Sequence, residues 1–437
     1  MTPAVPPEDP VARHLLPITA SVSSAGALSV GGRDLVGLAE EFGTPLFVYD
    51  EEHLRIRCRE AVAAFGPGVA YATKAFLCKE MAVLAHEEGM SLDVSTGGEL
   101  AVVLAAGVPA ERLVMHGNNK SAGELVEALE AGAGRIVVDS FDEIERLSRL
   151  CAPGAGAVPG PRPLRVLVRV TPGVEAHTHE YVMTGQEDTK FGFSLATGAA
   201  DEAVSRLRSL PGVELAGAHA HVGSQIFRLD AFAREVAAMV PFVTRHLLGE
   251  CCIGGGLGVA YLNDEAAPSM AEWATVVRSA FADAELPPGV RVTAEPGRSI
   301  VATAGITLYR VGTVKELPGL RTYVAVDGGM SDNPRPVLYG SGYEAFLPRE
   351  PLSPRAMVVR VVGKHCESGD VLVEAAHVPA DLAVGDVLAT PVTGAYGYAM
   401  ASNYNRLPRP AVLFVRGGQA RLVLRRETTA DMLALEV

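Results

Sequence analysis

From Tyr71 onward the chain alternates two patterns. A short β-branched or apolar run ends in polar residues or glycine, and a stretch of helical period rich in Ala, Leu and Glu follows. The strand-like runs are VAYATKAF, MSLDVSTGG, RLVMHGNNK, RIVVDSFDE, RVLVRVTPG, LAGAHAHVGSQ, CCIGGG and VRVTAEPGRS. The helical stretches between them include ELAVVLAAG, SAGELVEALEAG, EIERLSRL and AFAREVAAMVPFVTRHLL. Eight such βα units in succession predict an α/β fold, a (β/α)8 TIM-like barrel. An open doubly wound sheet is the rival, and it usually has fewer strands.

After about residue 303 the rhythm changes. GITLYRVGTV, TYVAVDGG, AMVVRVVG, DVLVEAAHV, DVLATPVTG, PAVLFVRGG and ARLVLRRE follow one another with few helical windows between them. This predicts a C-terminal all-β domain, a barrel or sandwich, that also takes in the early strand-like run ASVSSAGALSV. The expected organisation is a mobile, proline-rich arm over 1–17, a barrel over 45–303, and a discontinuous β domain over 18–44 plus 304–437. CAPGAGAVPGPRP reads as a surface loop, and the long segment GVEAHTHEYVMTGQEDTKFGFS as a lid over the active face.

Composition narrows the class. The 437 residues carry a net charge of −13, with 48% hydrophobic and 20% charged residues. That balance fits a globular enzyme and argues against nucleic acid or an anionic membrane as partner, since phosphate surfaces need concentrated Lys and Arg. The six cysteines form no C-x-x-C pair, so zinc fingers, thioredoxin-like sites and disulfide scaffolds are disfavoured. The N-terminus has no apolar signal core and no apolar run is long enough to span a bilayer, so the expected location is the cytoplasm.

In a (β/α)8 barrel, chemistry sits at the carboxyl ends of the strands. Those ends carry Lys74, Asp93, His116, Asp139, Arg169, His221, Gly254 to Gly256, and Glu295 to Arg298. An ammonium closing an apolar strand, as in GVAYATKAF, either reaches water or is occupied chemically. Gly254, Gly255 and Gly256 follow the seventh strand and EPGRS the eighth, which is where such barrels bind phosphate. It is not a dinucleotide fingerprint, because Val259 stands where the last glycine should be. Arg298 and Ser224 supply further donors. A lysine, a phosphate cradle and an acid together point to pyridoxal phosphate held covalently on Lys74, with Glu295 on the pyridine nitrogen and His221 against the ring. On this reading the side chain of Lys74 is buried.

The motifs YATKAF, LDVSTGGEL, HGNNKS, HAHVGSQI, IGGGLG, EPGRSI, VDGGMSDNPRPVLY, KHCESGD and TGAYGYAMASNYN stand in family order from about residue 44 to the C-terminus. Through them the sequence resembles the diaminopimelate decarboxylases, in the alanine-racemase-like fold type III group of pyridoxal 5'-phosphate enzymes. The resemblance implies decarboxylation of meso-2,6-diaminopimelate to L-lysine and carbon dioxide, the last step of lysine biosynthesis by that route. It implies Lys74, Cys366, His221 and Glu295 as catalytic residues. Ser224, Gly254, Gly255, Gly256, Pro296, Gly297, Arg298 and Tyr396 would complete the cofactor site. Arg298, Arg335, Tyr339, Glu367 and Tyr396 would bind substrate. Cys366 would protonate the α-carbon, and the Cys366–Glu367 segment would come from the partner of a homodimer. Charged distal groups suit this division of labour, because a polar site rejects analogues lacking its partner groups by roughly 10⁴–10⁵. Departures are Thr73 before the lysine, Gly340 and Gly342 after Tyr339, and cysteines in CCIGGG where aspartate is often seen.

Three alternatives stand beside this reading. One is a same-family decarboxylase acting on ornithine, lysine, arginine or a carrier-linked amino acid. A second is a non-catalytic pyridoxal phosphate binder, which would be expected to lack Lys74 or Cys366. The third is a metallohydrolase using His219 and His221, which share a face of the strand. That pair falls on strand six rather than the first, and His177, His179 and Glu180 lie on the lid stretch, so no metal is expected.

Overall fold

The computed structural model describes residues 11–152, 163–174 and 188–437. The chain forms two compact units, one from Cys58–Gly258 and Ala267–Ser299, the other from Met1–Arg57, Val259–Ala266 and Ile300–Val437.

The first unit is the barrel. Its strands are β1 (Ala70–Ala72), β2 (Ser91–Val94), β3 (Leu113–Met115), β4 (Arg135–Val138), β5 (Leu164–Thr171), β6 (Val213–His219), β7 (Glu250–Cys252) and β8 (Arg291–Thr293). They are the eight predicted runs, in order, each parallel to the next. Two backbone bonds close the ring: Ala70 N–H donates to Ala294 O at 3.0 Å and Ala72 N–H to Pro296 O at 3.1 Å. Ala70, Val114, Val137, Leu167, Ala216 and Cys252, one from each of six strands, form a single buried cluster, as a lumen filled by side chains requires.

Caps decide where each strand hands over to its helix. Thr96, Ser121, Ser140 and Ser269 accept hydrogen bonds from the backbone N–H groups of Glu99, Glu124, Glu143 and Glu272. Each satisfies an otherwise orphaned donor in the first helical turn. At the opposite end of the barrel, Glu250 binds Arg135 at 3.1 Å and also Arg291, all three being first residues of their strands.

Lys120, in HGNNKS, is 1% exposed. Its Nζ donates to Gly117 O at 2.6 Å and Val137 O at 2.8 Å, and pairs with Glu143 Oε1 at 2.8 Å. Glu143 Oε2 accepts the Asp139 N–H at 2.9 Å. The pair therefore ties the β3 loop to the β4 exit.

In the second unit the 13-residue strand Gly305–Leu317 is the spine. Its first half pairs with Leu46–Asp50 on one side and Val387–Pro391 on the other. Its second half, past a register shift after Val311, pairs with Arg321–Val326. Met357–Val362 and Val371–Val378 extend that end, and Ala411–Arg416 and Gln419–Leu424 extend the other from Leu46–Asp50.

Two boundaries differ from the sequence pattern. Leu46–Asp50, placed by that pattern at the start of the barrel segment, is a wholly buried strand of the β sheet. Residues 11–17, expected to be part of a mobile arm, are tied down. Val11, Leu15 and Pro17 are buried, Ala12 N–H donates to Asn263 Oδ1 at 2.9 Å, and the Arg13 guanidinium caps the carbonyls of Leu16, Pro17 and Ile18. The run around Ser21–Val22 and Leu28–Val30 forms its own three-stranded sheet with Arg33–Asp34. Backbone bonds Leu28 N–H to Pro348 O and Gly418 N–H to Gly31 O dock it on the β unit. Among the described residues no helix is long and apolar enough to cross a membrane.

Removing one partner of a buried ion pair strands the other. Lys120→Met is expected to destabilise the barrel unit by about 3–5 kcal/mol, and adding Glu143→Gln to recover part of the loss. Urea unfolding of both variants at matched pH measures this.

Candidate active site

The carboxyl rim of the barrel is built around one buried carboxylate. Glu295 leaves β8 in EPGRS, and its two oxygens are each held by an imidazole, Oε1 by His116 Nε2 and Oε2 by His219 Nε2, both at 2.9 Å. Burial alone would raise this carboxyl; the two histidines outweigh it and hold Glu295 well below the carboxylate range. Asp93, at the end of β2, lies 3.8 Å from His116 Nε2, and burial pushes it up to about 6.

His219 and His221 do not act as a pair. β6 ends at His219, so strand alternation does not extend to His221. His221 Nδ1 accepts the Gly255 N–H at 3.2 Å, which leaves the ring proton on Nε2. Desolvation, followed by the nearby Lys74 charge, drives its pKa well below the usual histidine value, so the ring is neutral. The donor atoms of His116, His219 and Glu295 lie within 4.8 Å of one another, and the two hydrogen bonds already engage them.

The loops after β6, β7 and β8 are laced by backbone bonds. Glu295 N–H donates to Gly254 O at 2.7 Å and Ile226 N–H to Gly256 O at 2.9 Å. No side chain fits in this lacing. A Cβ on Gly255 would collide with the Glu295 carbonyl and one on Gly256 with the Gly223 carbonyl. Gly254 and Gly256 also take φ of +62° and +116°. Arg298 Nη2 donates to Ser224 Oγ at 2.9 Å across the same rim. Pro296 and Gly297 have closure roles, Pro296 through its carbonyl to Ala72 and Gly297 by packing against Ala72.

Lys74 is exposed rather than buried. β1 stops at Ala72, and the turn Thr73–Ala75 carries the ammonium past the last packed layer, where it keeps its hydration. Thr73 Oγ1 donates to the Asp93 carbonyl at 2.8 Å, so this departure from the family pattern pins the lysine turn to β2. Cys251 and Cys252, the other departure, are buried and burial pushes both thiols up, which keeps them inert. Arg169 binds Asp139 at 3.3 Å, and its guanidinium lies 4.3 Å from the Phe191 ring centroid. Asp139 Oδ1 also accepts the Gly192 N–H, anchoring the described end of the segment after β5. His177, His179 and Glu180 lie outside the described residues.

A lysine, an ionised buried carboxylate, a neutral imidazole, and a rim of backbone N–H, hydroxyl and guanidinium donors form a set that fits pyridoxal phosphate. The side-chain-free lacing at Gly254 to Gly256, which the packing of the loops itself requires, leaves backbone that an anion can approach closely.

The β unit carries the other candidates. Arg335 is 5% exposed; Nε donates to Tyr343 OH at 2.9 Å and Nη2 to Ser341 Oγ at 3.0 Å. Its guanidinium carbon lies 5.0 Å from the Tyr261 ring centroid and 5.6 Å from that of Tyr339. Desolvation opposes its charge, but the phenols of Tyr261, Tyr343 and Tyr396 more than offset it and raise its pKa. Gly340 ends the helix Arg335–Tyr339 in the left-handed region, and a Cβ on Gly342 would press on Leu262, which accounts for both glycines. Tyr396 itself has φ +59°.

Cys366 is exposed while the other five cysteines are buried. Its turn hangs on two residues not assigned a role from the motifs. Asp370 accepts the N–H groups of His365 and Met330, and Asn405, with φ +50°, accepts the Cys366 N–H at 3.0 Å. His365 stacks on Tyr404 beneath them. An asparagine inside TGAYGYAMASNYN was the available signal, since Asn tolerates the left-handed region. Glu367 is exposed beside the cysteine.

Residues 51–302 match the pyridoxal-dependent decarboxylases through their pyridoxal binding domain. Fold and match together define a pyridoxal-phosphate-dependent amino-acid decarboxylase. The chain is 48% identical over 448 residues to diaminopimelate decarboxylase of Mycobacterium tuberculosis, covering 98% of each chain. It is 44% identical over 437 residues to that of Bacillus subtilis, covering 96% of this chain and 97% of the relative. The crystal structure of diaminopimelate decarboxylase from M. jannaschii in complex with L-lysine superposes with a TM-score of 0.87 at 31% identity, covering 96% of this chain and 98% of that one. The chain belongs to the diaminopimelate decarboxylases.

Gly255→Ala must push the Glu295 carbonyl aside. Its expected effect is loss of cofactor retention with little loss of fold: weaker visible absorbance after gel filtration and faster cofactor release, at a far-ultraviolet spectrum like the wild type. Retained absorbance in a folded variant would contradict the cradle.

Proposed function

We propose that this chain decarboxylates meso-2,6-diaminopimelate to L-lysine and carbon dioxide, the last step of lysine biosynthesis by the diaminopimelate route. The observation that carries this is identity of 44–48% with diaminopimelate decarboxylases over nearly the whole of both chains.

Pyridoxal phosphate, when bound, supplies the electron sink that accepts the electron pair left behind by carbon dioxide. The residues divide the remaining work. Lys74 is the residue that would hold the cofactor. Glu295, ionised and buried, would accept a hydrogen bond from the protonated ring nitrogen and so keep that nitrogen protonated. His221, neutral, lies against the ring without competing for that proton. Ser224, Gly254, Gly255, Gly256 and Arg298 bind the phosphate, with Tyr396 completing the cofactor site. Arg335, held charged among tyrosines, reads the distal carboxylate with Tyr339 and Arg298, and Glu367 reads the distal ammonium. Cys366 Sγ holds the proton that replaces carbon dioxide at the α-carbon, and its exposure suits that task. The working form is a homodimer in which the Cys366–Glu367 segment serves the partner subunit's site. The cytoplasm is the compartment that fits a small-molecule biosynthetic step.

Purified protein with added pyridoxal phosphate is expected to release lysine and carbon dioxide from meso-diaminopimelate and not to turn over ornithine, arginine or L-lysine. Lys74→Ala should abolish release. Turnover of another amino acid instead would keep the cofactor and overturn the substrate. Cys366→Ala should lower kcat by about 10²–10⁴, the usual range for a positioned proton donor. Mixing Lys74→Ala with Cys366→Ala subunits should restore activity that neither shows alone; failure to complement would overturn the shared site.

A further inference from the structure

Glu295 is gripped symmetrically in distance and asymmetrically in environment. Both imidazoles approach through Nε2 at 2.9 Å, and their rings meet edge-on, 4.9 Å between centroids and 68° between planes. One carboxylate thus has both oxygens fixed from two directions, so its plane cannot turn.

The surroundings of the two rings differ. His219 is 2% exposed, and its Nδ1 is buried with no hydrogen-bond partner. With Nε2–H given to Glu295, a second proton on Nδ1 would be a buried charged donor with nothing to receive it. His116 instead faces two carboxylates, Glu295 and, at 3.8 Å, Asp93.

We propose that His116 and His219 are positioning residues acting on Glu295 in unlike charge states: His116 is the cation that keeps the carboxylate ionised, and His219 is a neutral donor that fixes its plane. The inference rests on the reading that Glu295 serves the pyridine nitrogen.

The charges facing the array agree. For His116, burial opposes protonation, but Asp93 and Glu295 outweigh it against Arg169, and its pKa is raised. For His219, burial is reinforced by His116 and Arg169, outweighs Glu295, and its pKa falls to about 4. Lys74 and Glu99 act on Asp93 from β1 and β2 sides in opposite senses. Burial raises Asp93, and its charge, with that of Glu295, favours the cation on His116.

Glutamine separates the two roles, because its amide N–H can replace an Nε2–H but carries no charge. In His116→Gln, Glu295 loses its cation and takes a proton at higher pH. The acid-side midpoints of the holoenzyme's visible absorbance and of kcat/KM should move up by about 1 unit, with kcat falling more than KM changes. In His219→Gln both midpoints should stay within about 0.3 unit of the wild type. Equal shifts in the two variants, or none in His116→Gln, overturn the proposal. Glu295→Gln is the control on the underlying reading: a wild-type spectrum there would remove Glu295 from the ring nitrogen. The charge states are also read without cofactor, by 15N spectra of histidine-labelled apoprotein. At least two imidazoles, those of His219 and His221, should remain neutral at pH 5, one of these signals being absent from His219→Gln, and another ring, absent from His116→Gln, should remain cationic above pH 7. Eleven histidines that all titrate near their ordinary value of about 6.5 would overturn the assignment.

Discussion

The barrel unit depends on its closure. Two backbone hydrogen bonds, Ala70 to Ala294 and Ala72 to Pro296, join the first strand to the last. They involve no side chain, yet they decide the site. Lys74 lies two residues beyond one partner of that seam and Glu295 lies inside the other. Residues more than two hundred positions apart are made neighbours by the same bonds that leave the sheet without an edge. Gly297 packs against Ala72 at this seam, so the residues that close the ring and those proposed to bind the cofactor belong to one short peptide.

Around the seam, single motifs do more than one job. In HGNNKS the histidine grips Glu295, the lysine fills a buried ion pair, and the serine caps the next helix. In LDVSTGGEL the aspartate faces His116 and the threonine caps its helix. The candidate site and the folding signals share these motifs because the strand ends are both the rim of the barrel and the start of the helices.

How much was legible follows from range. The eight strands and their order were visible because each announces itself locally, by an apolar run and a polar stop. The rim residues were visible because position in a βα unit fixes which end they occupy. What pairs with what across the rim was not. His116, His219 and Glu295 stand on β3, β6 and β8, and their meeting depends on the stagger of a closed barrel, which no local pattern encodes. Leu46–Asp50 was missed for the same reason: its partners, Gly305–Leu317 and Ala411–Arg416, lie hundreds of residues away. Residues 11–17 look like a free arm because proline-rich sequence reads as linker, whereas Leu15 and Asn263 hold them. Lys74 was expected to be buried because it would be covalently occupied; the turn Thr73–Ala75 instead carries it past the last packed layer.

The distribution of sulfur has a consequence for the protein's lifetime in an oxidising cell. Five thiols are shut inside packed structure, and Cys366 alone stands exposed. In a free protomer peroxide therefore meets one thiol first, the one on which the proposed proton delivery depends, and pairing of the subunits would also shield it. The exposure that lets Cys366 serve as a donor also makes it the residue by which oxidative damage would be felt, while Cys58, Cys78, Cys151, Cys251 and Cys252 remain spectators.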